Sequence, residues 1–266
     1  VRLALGQPPT RDSVAENVAA AVEVIAAARD RRADVLLLPE LCLSGYRPAA
    51  VGREPDRWAV TLDDPRLLPL RRAAERHGVA VAVGAALSDR AVGSLYNATL
   101  WLRTDGTVEH IYSKVHVWST ERAVFTPGER QAIVECHGVR LGIGICYDAG
   151  FPEFARSYAR AGVDAVLFSS AFATGSEQHR YGVYHQSRAL ENGVYVAVAN
   201  CVGAVDGAEF FGRSQVFDPN GLPVLDVPAT TALGVAELSS RSPDADLVPY
   251  LSDLRVTTAD PRQFEG

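Results

Sequence analysis

Val139-Arg140-Leu141-Gly142-Ile143-Gly144-Ile145-Cys146-Tyr147-Asp148-Ala149-Gly150-Phe151-Pro152-Glu153 is the stretch that decides the fold class. Val139 to Ile145 is mostly apolar and reads as the core of a strand. Phe-Pro-Glu then starts a helix, because proline is tolerated in the first helical turn. One cysteine stands at the junction. Alpha/beta folds place their sites at this edge of a sheet. N–H groups at the following helix start can face a developing negative charge, which suits a thiol nucleophile. A lone cysteine at such a place is more often a buried strand cap, so the rest of the chain has to carry the functional reading.

Outward from this stretch, strands and helices alternate. Val1 to Gly6 reads as a strand and not as a signal peptide. Ser13 to Ala28 reads as a helix, with Ser13 as cap and Glu16 three residues on. Asp34 to Glu40 is a short strand with an unbroken apolar centre, so a βαβ unit lies within the first forty residues. Leu41 to Arg57 reads as a loop. Asp64 to His77 is a helix stopped by Gly78. Strands follow at 79–86, 95–102 and 108–112, the last two joined by a turn at Thr104-Asp105-Gly106-Thr107. Ser113 to Glu129 has no period and reads as a functional loop. Ala132 to Cys136 pairs with Val139 to Cys146 across His137-Gly138. A helix at 154–161, a strand at 165–169 and a helix at 179–192 closed by Gly193 come next. Strands at 194–200, 215–217 (with a hairpin arm after Asp218-Pro219-Asn220-Gly221) and 234–238 complete the pattern. The mixture predicts a layered α/β fold with mixed sheets. No shift in composition marks a boundary, so residues 1–240 are one domain. Residues 241–266 are a polar tail expected to pack on a partner or fray.

Composition narrows the function. The chain has 266 residues, is 47% apolar and carries a net charge of −6 without a long charged run. That argues against nucleic acid as the main partner. No apolar run is long enough to span a membrane. Cys42, Cys136, Cys146 and Cys201 show no paired spacing, which predicts a reducing, cytoplasmic setting. No Cys and His cluster has zinc-ligand spacing, so no metal is expected. The chain contains no methionine, for which we have no physical account.

Three polar residues stand at the ends of apolar strands: Glu40, Lys114 and Cys146. Singly, each has a bland reading as a solvated end or an edge charge. Together they make chemistry. A thiol with a pKa of about 8.5 needs a proton acceptor or a nearby positive charge to become a nucleophile. A carboxylate can take the proton, and an ammonium can stabilise both the thiolate and a later oxyanion.

At this point the chain resembles the nitrilase, or carbon–nitrogen hydrolase, superfamily over roughly residues 1 to 240. Leu36-Leu37-Leu38-Pro39-Glu40 with Ser44-Gly45-Tyr46 is similar to its glutamate motif. Tyr112-Ser113-Lys114-Val115-His116 with Glu121 and Phe125-Thr126-Pro127-Gly128 is similar to its lysine motif. Gly142 to Asp148 with Phe151-Pro152-Glu153 is similar to its cysteine motif. Arg188 to Asn192, Ala199-Asn200, Gly212-Arg213-Ser214 and Asp218 to Gly221 resemble its later signatures. The resemblance implies a four-layer α-β-β-α sandwich with two mixed β-sheets and an association of two or more copies. It implies that Cys146 attacks the substrate carbon and Glu40 moves the protons. Lys114 stabilises the tetrahedral intermediate, with the N–H of Tyr147 as a second donor. Glu121 orients the substrate and assists proton transfer. The implied reaction is hydrolysis of a small amide through a thioester, releasing ammonia or an amine, without cofactor or metal.

Trp-Glu follows the cysteine in the nitrile-cleaving relatives; here Tyr147-Asp148 follows, as in the amidase and carbamoyl-hydrolase branches. Relatives acting on acid-bearing substrates often carry arginine three or four positions after the cysteine. Ala149 and Gly150 stand there, so neutral or cationic amides and carbamoyl amines are the expected substrates. His116, Trp118 and Phe172 are candidate substrate contacts beside Tyr147, each with an ordinary packing or hydrogen-bonding role as the alternative. Arg188, Glu191 and Asn192 read as structural, and Cys42, Cys136 and Cys201 as core packing. Rival readings are a non-catalytic binding module and a Cys-His hydrolase using His116. A cysteine phosphatase is disfavoured by Pro152, where it would need arginine.

Overall fold

The computed structural model describes residues 1–240, 251 and 253–255. The rest of the expected tail lies outside the described residues. In chain order the strands are β1 (Arg2–Gln7), β2 (Val35–Leu37), β3 (Ala80–Asp89), β4 (Ser94–Leu102), β5 (Val108–Ser113), β6 (Ala132–Cys136), β7 (Val139–Ile145), β8 (Ala165–Ser170), β9 (Tyr195–Asn200), β10 (Val202–Val205), β11 (Ala208–Phe211), β12 (Gln215–Phe217), β13 (Pro223–Asp226) and β14 (Ala232–Glu237). The helices are α1 (Val14–Asp30), α2 (Pro48–Arg53), α3 (Pro55–Trp58), α4 (Leu68–His77), α5 (Pro152–Arg160) and α6 (Ser176–Asn192).

Among the described residues twelve of these strands form two six-stranded sheets, ordered β14-β1-β2-β3-β4-β5 and β13-β12-β9-β8-β7-β6, and β10 and β11 form a two-stranded one. Each has three parallel strands at its centre, β1-β2-β3 and β7-β8-β9, with antiparallel strands on both sides. Strand side chains alternate between faces, and the burial follows. Leu3, Leu5, Val35, Leu37, Ala80 and Ala82 share one core with Leu141, Ile143 and Ile145 of the second sheet. Ala4, Leu36 and Val81 point the other way, onto Val18, Ala21 and Ile25 of α1 and Leu70 of α4. Helices α5 and α6 cover the outer face of the second sheet. The result is the expected α-β-β-α sandwich.

Local chemistry explains the ends of the elements. Ser13 accepts the N–H of Glu16 and caps α1, a contact worth about 1 kcal/mol. Gly78 and Gly193 close α4 and α6 with φ of +63° and +56°, the left-handed region that glycine enters without strain. Two segments differ from expectation. Residues 41–57, expected as a loop, hold α2 and α3, each begun by a proline at its first turn; helices this short show no apolar period. The hairpin β10–β11 was not expected, because its strands have four residues each. Of the three cysteines expected in the core, Cys42 and Cys201 are buried, whereas Cys136, at the end of edge strand β6, is only half-buried.

The two sheets are tied together next to the glutamate. Ser169 Oγ donates to the carbonyl of Leu38 (2.8 Å), and the N–H of Glu40 donates to the carbonyl of Ser170 (3.4 Å). Cys201 Sγ donates to the carbonyl of Glu40 (3.5 Å). The carboxyl ends of β2 and β8 therefore open on one place.

Candidate active site

Glu40 follows β2 and is fully buried. Its backbone lies so close to β3 that a Cβ on Gly84 would come within 2.3 Å of the Pro39 carbonyl and 2.8 Å of Glu40 Cα; only glycine lets the strand and this turn meet. Glu40 Oε1 accepts hydrogen bonds from Lys114 Nζ (2.6 Å) and Asn97 Nδ2 (2.7 Å). Glu40 Oε2 is buried and has no partner. Burial pushes the Glu40 pKa up to about 7, Lys114 pulls it back, and the like charge of Glu121 pushes it further up.

Lys114 follows β5. Gly128 sits against this strand end, where a Cβ would come within 2.1 Å of the Ser113 carbonyl, and its N–H donates to the carbonyl of Lys114 (2.8 Å). Burial works against the Lys114 ammonium, but Glu40 and Glu121 outweigh it and hold its pKa above the ordinary lysine value. Its Nζ reaches Glu121 Oε1 (3.0 Å) and Oε2 (2.8 Å) as well as Glu40. Glu121 also accepts the Tyr46 hydroxyl on Oε1 (2.6 Å) and the Trp118 N–H on Oε2 (3.1 Å). An ionised carboxylate offers about four acceptor positions, and these contacts fill them. Glu121 therefore orients Lys114 and has no acceptor left for a substrate.

Cys146 lies at the carboxyl end of β7 with φ of +44°, on a tight turn spanning Cys146–Gly150. Left-handed backbone is costly for a residue with a Cβ and clusters at functional sites. Burial and the Glu40 carboxylate hold the thiol pKa well above its ordinary value, while Lys114 and a hydrogen bond from the Ala171 backbone pull it down. Glu40 and Lys114 thus act on this thiol in opposite senses.

Asp148 locks the cysteine turn to the lysine strand. Its Oδ2 accepts the Tyr112 hydroxyl (2.6 Å) and the N–H of Ile145 (3.0 Å). Its Oδ1 accepts the N–H of His116 (2.9 Å) and meets His116 Nδ1 (2.8 Å). The His116 ring also stacks on Phe151, with centroids 3.7 Å apart. Arg188 secures the same turn from α6, donating to the carbonyl of Ala149 (3.0 Å) while paired with Glu191 (2.7 Å).

A pocket of about 170 Å³ opens over Cys146. Of the four candidate substrate contacts, Tyr147, Trp118 and Phe172 line it. His116 does not; its ring is held by Asp148 and stacked on Phe151 away from the lining around Cys146, and that position, not the Asp148 contact, counts against it as the base of a Cys-His pair. Tyr46, Tyr184 and Phe210 complete the aromatic wall. Position 150 faces this wall, since a Cβ on Gly150 would lie 3.5 Å from Tyr184 and 3.7 Å from Tyr147. Sequence reasoning missed Asn97, Tyr46, Asp148 and Ala171 as parts of the site. Asn97 was signalled by an amide in the apolar run of β4, and Tyr46 and Asp148 by their places inside the quoted motifs. Ala171 acts through its backbone and left no signal. Among the described residues no group of three or more His, Cys, Asp or Glu is arranged to hold a metal ion, and no helix is long and apolar enough to cross a membrane.

The chain is similar to known proteins along most of its length. A profile of the carbon-nitrogen hydrolase family matches residues 2–243. An (R)-stereoselective amidase from Pseudomonas sp. is 33% identical over 84% of this chain and 80% of its own length. The 2-oxoglutaramate amidase of Bacillus subtilis is 28% identical over 85% of this chain and 86% of its own. Among solved structures, a mutant of the Nesterenkonia sp. AN1 amidase shows Michael addition of acrylamide at its active-site cysteine; it is 29% identical, with a TM-score of 0.83 and 96% of each chain covered.

Proposed function

Because the chain belongs to the carbon–nitrogen hydrolase family of the nitrilase superfamily, and as an amidase cleaves amide C–N bonds through a cysteine-bound intermediate, we propose that Cys146, Glu40 and Lys114 are the residues that do so. Glu40 takes the thiol proton on Oε2 as Cys146 Sγ bonds to the amide carbon. The carbonyl π electrons move onto oxygen; Glu40, neutralised by the thiol proton, loosens its hold on Lys114, and the Lys114 N–H so released and the N–H of Tyr147 donate to that oxyanion. The tetrahedral adduct collapses, the C–N bond breaks, and Glu40 returns its proton to the departing nitrogen. Water then attacks the thioester with Glu40 again as base, and the acid leaves with the Cys146 thiol restored. Glu121 and Tyr46 keep Lys114 aimed throughout.

The observation that carries this reading is the state of Glu40. One oxygen is held by Lys114 and Asn97, the other is buried without a partner, and a pKa of about 7 lets it both accept and return a proton near neutral pH. The aromatic wall suits an apolar, uncharged acyl group, and the side-chain-free position 150 is in keeping with it. A homo-oligomer belongs to the same proposal. Val183 and Leu190, seven residues apart on α6, are exposed, and Leu190 adjoins the turn that precedes the exposed Leu222. Sedimentation would test it. The functional test is ammonia release from small amides, carbamoyl amines and nitriles, beside a Cys146→Ala control. Release from amides that vanishes in the control is the expected result. Turnover retained without the thiol, or confined to nitriles, would overturn the reading; a preference for carbamoyl amines would move it to that branch.

A further inference from the structure

Glu177 and Arg180 are the two oppositely charged side chains that line the pocket among the described residues. They stand one turn apart on α6 and pair with each other, Arg180 Nη1 to Glu177 Oε1, at 2.9 Å. The guanidinium lies 6.0 Å from the centre of the Trp118 ring. Both side chains are half-exposed, at 43% for Arg180 and 29% for Glu177, so each charge is felt at the mouth and neither is locked away. Tyr46, Trp118, Phe172 and Phe210 supply no charge to compensate either of them.

We propose that this pair is a charge filter for the substrate's acyl group. The inference rests on amide hydrolysis at Cys146 and names what the same pocket admits. An acyl group bearing one negative charge is drawn to Arg180 but repelled by Glu177 beside it, and one bearing a positive charge meets the reverse. The two effects cancel, so the pair does not offset the cost of taking a charge out of water against the aromatic wall, and net-neutral acyl groups, uncharged or zwitterionic, are left as the preferred class. Removing either member unbalances the mouth. The Glu177→Gln form admits anionic amides and the Arg180→Gln form admits cationic ones. One uncompensated charge at such a half-exposed place changes the selection by about fivefold.

The experiment compares kcat/KM for three amides of matched length whose far ends are neutral, acid-bearing or amine-bearing. Ratios within one enzyme form do not depend on how much of it is folded. Glu177→Gln should raise the acid-to-neutral ratio about fivefold, and Arg180→Gln the amine-to-neutral ratio by a similar factor. The double variant should return both ratios to wild type, and about 0.5 M salt should flatten all of these changes. Ratios that stay flat, or that move the same way in both single variants, would overturn the filter while leaving the amidase reading in place. Failure of the wild-type chain to turn over any of the three amides would overturn the reading of the pocket and the filter with it.

Discussion

Two sets of paired charges bound the same pocket and behave oppositely. At the floor, Glu40, Lys114 and Glu121 are fully buried and hydrogen-bonded to one another. At the mouth, Glu177 and Arg180 make one contact in partial contact with water. Buried charges cannot be screened, so each strongly shifts the protonation of its neighbours. Burial first, and then the like charge of Glu121, outweigh the pull of Lys114 and drive Glu40 up to about 7. At the mouth, water screens the pair, so it has little leverage on proton affinity or stability and can act only on what enters. Burial makes the floor a reaction centre and exposure makes the mouth a selector.

The largest test of this contrast is Cys146→Ala, which should abolish turnover, a loss of about 10⁶-fold by the precedent of activated nucleophiles, measured as ammonia release. Next is Lys114→Met. It leaves two buried carboxylates without their shared cation, so activity should vanish and chemical denaturation should show a loss of about 3–5 kcal/mol. A fold that kept its full stability would show that the floor is not the tightly coupled unit described here.

Acidity gives the third test. Glu40 must be ionised to accept the thiol proton, so kcat/KM should fall about tenfold per pH unit below about 7. Stability moves the other way. The folded chain holds a proton that the unfolded chain releases near 4.5. Its contribution is complete below pH 4.5 and is lost as pH rises through 7, amounting to roughly 3 kcal/mol. Glu40→Gln should be inactive and should flatten that slope in pH-dependent denaturation.

Tyr46→Phe removes one donor to Glu121 and should lower kcat by about tenfold with the fold intact, in line with the loss of one hydrogen bond to a charged group. The smallest effect belongs to the mouth. Glu177→Gln should change stability by less than about 1 kcal/mol, and a larger drop in a thermal melt would mean that the two charge sets are less different than their burial implies.

Much of the fold was legible in the residues. Weak alternation marked β1, apolar runs marked β2 and β7, and Ser13 and Gly78 marked the ends of α1 and α4. What escaped were short pieces whose signal was punctuation and not period. Asp206-Gly207, with φ of +49° and +84°, is the turn signal of the β10–β11 hairpin, but four-residue arms gave it no alternation to frame. This hairpin brings Phe210 to the pocket wall and onto Tyr46, with ring centroids 5.7 Å apart.

By itself the sequence determined the strand and helix alternation, the placing of Glu40, Lys114 and Cys146 at strand ends, and the resemblance that named their chemistry. These are local properties, set by side-chain period, caps and motif spacing. Only the tertiary structure decided that Glu121 spends all its acceptors on Lys114, Tyr46 and Trp118, that His116 belongs to Asp148 and not to the pocket, and that Glu177 and Arg180 stand at its mouth. Those facts depend on which groups meet across two sheets after both have closed on one core. Hydrogen-bond capacity and exposure are properties of that meeting, and no one segment carries them.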